Sequence, residues 1–169
     1  MPRTILHPNR GAAEAESHLV PQSLAKLLVH LVFSTKHRQP LLPQEPFEAL
    51  HKYARGIFVD LKCYMIEMNN VRDHVHILFD LHRTITVADV VMHVKKGTSR
   101  WLKEQSAQFH GFEWQVGYGA FSLGQSQRQD AIDYFRDQQN HHRLISYQDE
   151  LRTFLRVYEI DYDERFVWD

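Results

Sequence analysis

The sequence predicts an α+β domain of the split βαβ type: an antiparallel four-stranded sheet with helices on one face and a C-terminal helix that bears a tyrosine. Three observations predict it. Apolar, β-branched runs of strand length alternate with longer stretches of helical period, in the order strand, helix, strand, strand, helix, strand, helix. Ser/Thr residues followed three positions later by Asp or Gln mark helix starts. Polar turn residues close the apolar runs.

Taken in order, Leu24 to Arg38 begins as a buried strand and ends in a polar turn before Pro40. Pro43 opens a helix in which Phe47, Leu50, Ala54, Ile57, Phe58 and Leu61 recur at helical spacing. Cys63 to Met68 and His74 to Leu81 form two extended runs, and the five residues Asn69 to Asp73 between them suggest a loose hairpin. Thr86 with Asp89 starts a second helix, apolar at Val87, Val90, Val91 and Val94, with basic residues on its other side. Glu113 to Leu123, aromatic and β-forming, reads as the fourth strand. Ser126 with Gln129 opens a helix expected to run to about Arg143, and Ser146 with Asp149 opens a last one from Tyr147 to about Val157. This ferredoxin-like and RRM-like order leaves one sheet face open for a ligand or partner.

The chain has 169 residues, enough for one domain with its own core, expected over residues 23–169 after a loose N-terminal extension at 1–22. A single cysteine, Cys63, excludes an internal disulfide or a Cys-rich zinc site and points to a reducing cytoplasm. No apolar run is long enough to span a membrane. The net charge of −1 lacks the overall basicity of many nucleic-acid binders, yet it is unevenly spread. Arg83, Lys95, Lys96, Arg100 and Lys103 face only Asp89, so a local basic surface survives.

Two short patterns carry chemistry. Alternation along a strand points His74 and His76 to the same side, with Val75, Ile77 and Phe79 opposite. Neutral imidazoles so paired can hold a divalent ion, although an isolated H-x-H is more often a polar pair on a half-exposed strand. Tyr134 and Gln138 lie four residues apart and share a helix face beside the apolar Ala131, Ile132 and Phe135. A tyrosine so placed is more often a packing residue than a nucleophile. His141 and His142 follow without an assigned role. The residues after His76 do not fit a metallo-β-lactamase pattern, and the chain is too short for an amidohydrolase barrel, typically about 250 residues.

Five segments in order, His30 to Leu42, Asp73 to Phe79, Trp114 to Leu123, Tyr134 to Arg143 and Tyr162 to Trp168, resemble the HUH single-tyrosine transposases of small bacterial insertion sequences, including those associated with repetitive extragenic palindromes. The resemblance implies that His74 and His76 are the paired histidines, Gln138 the third ligand of Mg²⁺ or Mn²⁺, and Tyr134 the nucleophile. It implies a transposase that cleaves and rejoins single-stranded DNA at hairpin-bearing ends through a 5′-phosphotyrosine link. It also implies a homodimer in which one subunit's tyrosine helix completes its partner's histidine site. Lys36, Arg38, Lys95, Lys96 and Arg100 are the candidate DNA surface. The alternatives are a non-catalytic RRM-like nucleic-acid-binding module, which shares the topology, and an HUH nickase of the replication type or a domesticated transposase, which share the chemistry.

Overall fold

The computed structural model describes residues 23–43, 47–142 and 145–168, with the backbone alone at 139 and 141. The extension expected at 1–22 lies outside the described residues. The expected α+β class is observed: strands β1 (Leu27–Ser34), β2 (Tyr64–Asn70), β3 (His74–Leu81) and β4 (Gly119–Leu123) form one sheet in the order β2-β3-β1-β4, and every neighbouring pair is antiparallel. The fourth strand is shorter than its composition suggested. From Glu113 to Tyr118 the chain forms no strand, and its backbone pairs with the end of β1 at a bridge between Trp114 and Thr35.

Alternation along the strands divides the core between two faces. On the first, Val29, Leu31, Phe33, Val75, Ile77 and Phe79 pack against Leu50, Ala54 and Phe58 of α1 (Glu48–Asp60) and Val90, Val94 and Leu102 of α2 (Val87–Gln105). Phe58 and Phe79 are fully buried with ring centroids 4.9 Å apart; truncating such a ring to alanine costs about 3–5 kcal/mol. Gly97 lets the two helices approach, since a Cβ there would lie 2.6 Å from Ile57 Cδ1. Thr86 caps α2, accepting from the Asp89 amide at 3.1 Å, as its sequence signature predicts.

The second face is not open. Leu28, Val32, Leu78 and Phe121 are covered by Ile132 and Phe135 of α3 (Arg128–Arg136) and by Tyr147, Leu151 and Leu155 of α5 (Tyr147–Val157). The expected free face is corrected accordingly: both helices after β4 carry apolar stripes that are satisfied only by folding back over the sheet. The single helix expected from Ser126 to Arg143 is also corrected. A 3-10 turn at Gln125–Gln127 leads into α3, the Gly124 amide is taken by the Gln127 side chain at 2.8 Å, and a break at Asp137 separates α3 from the short α4 (Gln138–His141). At the break the Phe135 carbonyl accepts from Asn69 Nδ2 of β2 at 2.5 Å, which ties the end of α3 to the sheet. No helix among the described residues is long and apolar enough to cross a membrane.

Candidate metal and nucleophile site

The second face holds the chemistry. His74 and His76 project together from β3, as expected, but each is only 1% exposed because α3 and α5 lie over them. Three imidazoles on this face have a partner at Nδ1. His74 Nδ1 meets Asp73 Oδ1 at 2.7 Å, His76 Nδ1 meets His30 Nε2 at 2.9 Å, and His142 Nδ1 meets the Ile145 carbonyl at 3.0 Å. Where Nδ1 donates in these contacts, Nε2 carries the lone pair, the tautomer a metal-binding histidine needs.

The three Nε2 atoms converge on Glu150 of α5. Its Oε2 lies 3.8 Å from His74, 3.4 Å from His76 and 3.3 Å from His142. His74 Nε2 and His142 Nε2 are themselves 2.9 Å apart, and two lone pairs at that distance call for a proton or a cation between them. His74, His76, His142 and Glu150 offer ligand atoms all within 4.8 Å of one another and could hold a metal ion. Gln138, fully buried, adds an amide whose Oε1 has no hydrogen-bond partner among the described residues. A cluster of three imidazoles and a carboxylate, with an orphaned buried amide oxygen on the residue next to that carboxylate, fits a divalent cation.

Electrostatics bind the cluster together. Burial pushes the Glu150 carboxyl up to about 7 against the downward pull of His74. Burial also works on Asp73, but the His74 hydrogen bond and the nearby His74, His142 and Arg38 outweigh it and hold that carboxyl below its ordinary value. His30 is held well below the usual imidazole range, first by burial and then by His76, so it stays neutral among Phe121, Phe135 and Phe154.

Two tyrosines flank the cluster. Tyr134, half-buried on α3, donates its hydroxyl to Glu150 Oε1, the oxygen that also lies 3.4 Å from Gln138 Nε2. Tyr147 stacks 4.6 Å from the His74 ring but donates to Gln115 Oε1 at 3.3 Å, and burial raises its phenol well above the ordinary value. One carboxylate therefore spans the two halves of the site, one oxygen toward the imidazoles and the other toward Tyr134.

All four chemically singled-out residues, His74, His76, Tyr134 and Gln138, meet here. Sequence reasoning missed Glu150 and left His142 unassigned. A signal for Glu150 was present: it interrupts the buried stripe Tyr147, Leu151, Leu155 of α5, and a carboxylate on an apolar face is buried for a reason. His142 stands one turn after Gln138, on the side that spacing gives to Tyr134 and Gln138, but the spacing alone assigned it no role.

The basic residues are less unified. Lys36, Lys95 and Lys96 line one groove of about 580 Å³ with Lys103, Trp114 and Val116. Lys36 is paired with Glu113 at 2.5 Å. Lys95 turns inward, its ammonium held by the carbonyls of Gln115, Val116 and Gly117, and burial lowers it to about 8. Arg100 faces a different groove, beside Lys96 and His93, and Arg38 lines neither.

The family described as "Transposase IS200 like" matches residues 23–138. No curated protein matches the sequence. Among solved structures, one assigned as a transposase from Deinococcus radiodurans R1 superposes with a TM-score of 0.55 at 21% identity, over 70% of this chain and 95% of that one. The REP-associated tyrosine transposase bound to a REP hairpin superposes with a TM-score of 0.54 at 13% identity, over 85% of this chain and 90% of the other. At such identities the likeness is one of fold.

Proposed function

The chain belongs to the family of IS200-like transposases, and from that premise we propose that it cleaves and rejoins single-stranded DNA through a covalent link to Tyr134. The observation that carries this reading is the shared carboxylate: Glu150 accepts the Tyr134 hydroxyl with one oxygen and faces three imidazoles with the other.

A free phenol titrates near ~10 and is a weak nucleophile at neutral pH. Glu150 is within hydrogen-bond reach to take its proton, the requirement for a general base. The Tyr134 oxygen then attacks phosphorus, the P–O3′ bond breaks, and the departing 3′ oxygen gains a proton to become a hydroxyl. The phosphodiester energy is kept in the 5′-phosphotyrosine bond, so the reverse attack by another 3′-hydroxyl rejoins strands without ATP. Tyr147, buried and turned toward Gln115, is not placed for this role.

His74, His76, His142 and Glu150, with Gln138 Oε1, would hold the divalent cation. When bound, that ion supplies charge neutralisation at the scissile phosphate. Three imidazoles with oxygen donors suit Mn²⁺ better than Mg²⁺, which prefers an all-oxygen shell. His30 and Asp73 act behind the ligands, fixing the rings of His76 and His74.

The substrate reading, single-stranded DNA with hairpin ends, draws support from the REP hairpin held by the structural relative and from the groove lined by Lys36, Lys95 and Lys96. Arg38 and Arg100 extend the basic surface. The expected homodimer is not needed to assemble the site, since histidines, tyrosine and glutamine of one chain already meet; we favour a site complete in one subunit. An RRM-like binding module has no use for the buried cluster. A replication-type nickase would share the chemistry, but family membership favours transposition.

The test is a denaturant-resistant adduct between the protein and a hairpin-bearing single strand taken from the DNA flanking its gene, with Mn²⁺ or Mg²⁺ present. The wild type should form it. Tyr134→Phe should bind the strand yet form none; an adduct that persists in this variant overturns the assignment.

A further inference from the structure

A second basic cleft lies at the other end of the sheet from His74. It has a volume of about 610 Å³ and lies where β1 begins, β3 ends and α3 starts, lined by Lys26, Lys62, Tyr64, Asp80, Arg83 and Arg128. Asp80 is committed to Lys26. Lys62, Arg83 and Arg128 have no acidic partner among the described residues, so the cleft keeps a net positive charge.

Two features mark it as more than a solvated edge. Lys62 sits at φ 58°, in the left-handed region that favours glycine. It occupies the position after α1 where the Lys62 amide bonds the Val59 carbonyl at 2.9 Å and the Cys63 amide bonds Phe58 at 2.9 Å, the helix-ending arrangement that usually takes glycine. A lysine held there in spite of the strain points to a use for its ammonium. Tyr64, two residues on, is 63% exposed, an aromatic ring presented to solvent beside unpaired cations.

Cations spaced around an exposed ring suit a single nucleic-acid strand, whose phosphates take the charges and whose unstacked base takes the ring face. A duplex hides its base faces in the stack. Arg128 opens α3 six residues before Tyr134, about 9 Å along the helix axis at ~1.5 Å per residue. Residues 1–22, which join the cleft at Ser23, carry two arginines and two glutamates and offer no net charge to complement it.

We propose that this cleft is a flanking-strand subsite: it holds the single-stranded DNA that runs away from the scissile phosphate, with a base stacked on Tyr64 and its phosphates held by Lys62, Arg83 and Arg128. The subsite rests on Tyr134 being the DNA nucleophile, and it is separate from the groove lined by Lys36, Lys95 and Lys96.

Fluorescence anisotropy with labelled dT20, a dT20·dA20 duplex and an abasic strand of equal length tests it. The triple variant Lys62→Ala, Arg83→Ala, Arg128→Ala should bind dT20 at least about tenfold more weakly, with a log–log salt dependence flatter by about 2. Tyr64→Ala should lose about tenfold on dT20 and nothing on the abasic strand. Lys62→Gly should melt at a higher temperature and still bind dT20 more weakly, an outcome a purely structural Lys62 would not give. Unchanged dT20 affinity and salt slope in the triple variant, or a Tyr64→Ala loss equal on both strands, overturns the subsite. If the wild type forms the Tyr134 adduct while the cleft variants bind like wild type, the subsite fails and the strand-transfer reading stands. If dT20 binding depends on the cleft but no adduct forms, the reverse holds.

Discussion

Glu150 does most to join the parts of the site. Its two oxygens face different partners, so an isosteric change that removes the charge but keeps the shape is informative. Glu150→Gln should slow adduct formation by about 10²–10⁴-fold, the usual contribution of a positioned base, with affinity for the strand nearly intact. Single-turnover adduct kinetics beside anisotropy would check it, and a wild-type rate would make Glu150 merely structural. Glu159 offers a stability test far from the chemistry. It sits at φ 53° just past α5, with the Ile160 amide bonded to the Leu155 carbonyl at 2.8 Å. Glu159→Gly removes left-handed strain and should stabilise the fold by about 0.5–1 kcal/mol in urea melts. At this scale strand and helix periods placed His74 with His76 and Tyr134 with Gln138 on shared faces, and the family resemblance singled the four out. It assigned no role to His142, which closes the short helix that Gln138 opens, and did not mark Glu150, which comes from α5.

At the scale of elements, the break between α3 and α4 and the docking of α5 build the site. Asn69 of β2 holds the end of α3 through the Phe135 carbonyl, one residue past Tyr134. Asn69→Ala leaves that buried carbonyl without its partner and should cost about 1–3 kcal/mol in chemical denaturation, with a weaker adduct yield as Tyr134 loosens. The start of α5 depends on Ser146, whose hydroxyl accepts from the Asp149 amide at 3.2 Å. Ser146→Ala should cost about 1 kcal/mol. The Thr86 and Ser146 caps were legible because a cap is a local pattern. The start of α3 was misread: Ser126 lies inside a 3-10 turn, and the Gly124 amide bonds to the Gln127 side chain. Two overlapping local signals cannot be ranked without the sheet that α3 must reach.

For the whole molecule, the coverage of both sheet faces brings His74, His76, Tyr134 and Gln138 of one chain together, the basis of the proposed single-subunit site. Mixing Tyr134→Phe with His76→Ala protein should therefore restore no adduct; recovery of adduct in the mixture would establish exchange of tyrosine helices between subunits. The buried ligand set also ties metal to stability. Mn²⁺ at about a hundredfold its Kd should stabilise the fold by about 2.7 kcal/mol. In a thermal melt that is a rise of roughly 5–10 °C, absent in His76→Ala. Mg²⁺ should give the smaller shift.

By itself the sequence determined the order of strands and helices, the common side of His74 and His76, the one-turn spacing of Tyr134 and Gln138, and a family resemblance that the match over residues 23–138 bears out. These are properties of local period and ordered motif, which a chain carries before it folds. Tertiary structure alone decided that the histidine face is buried, that Glu150 bridges Tyr134 and the imidazoles, that His142 joins them, and that Lys95 turns inward while Lys62, Arg83 and Arg128 share a second cleft. Those facts depend on which apolar stripe folds over which face. Contacts between residues distant in sequence form only when burial of α3 and α5 on the sheet offsets the entropy of closing the loops that carry them.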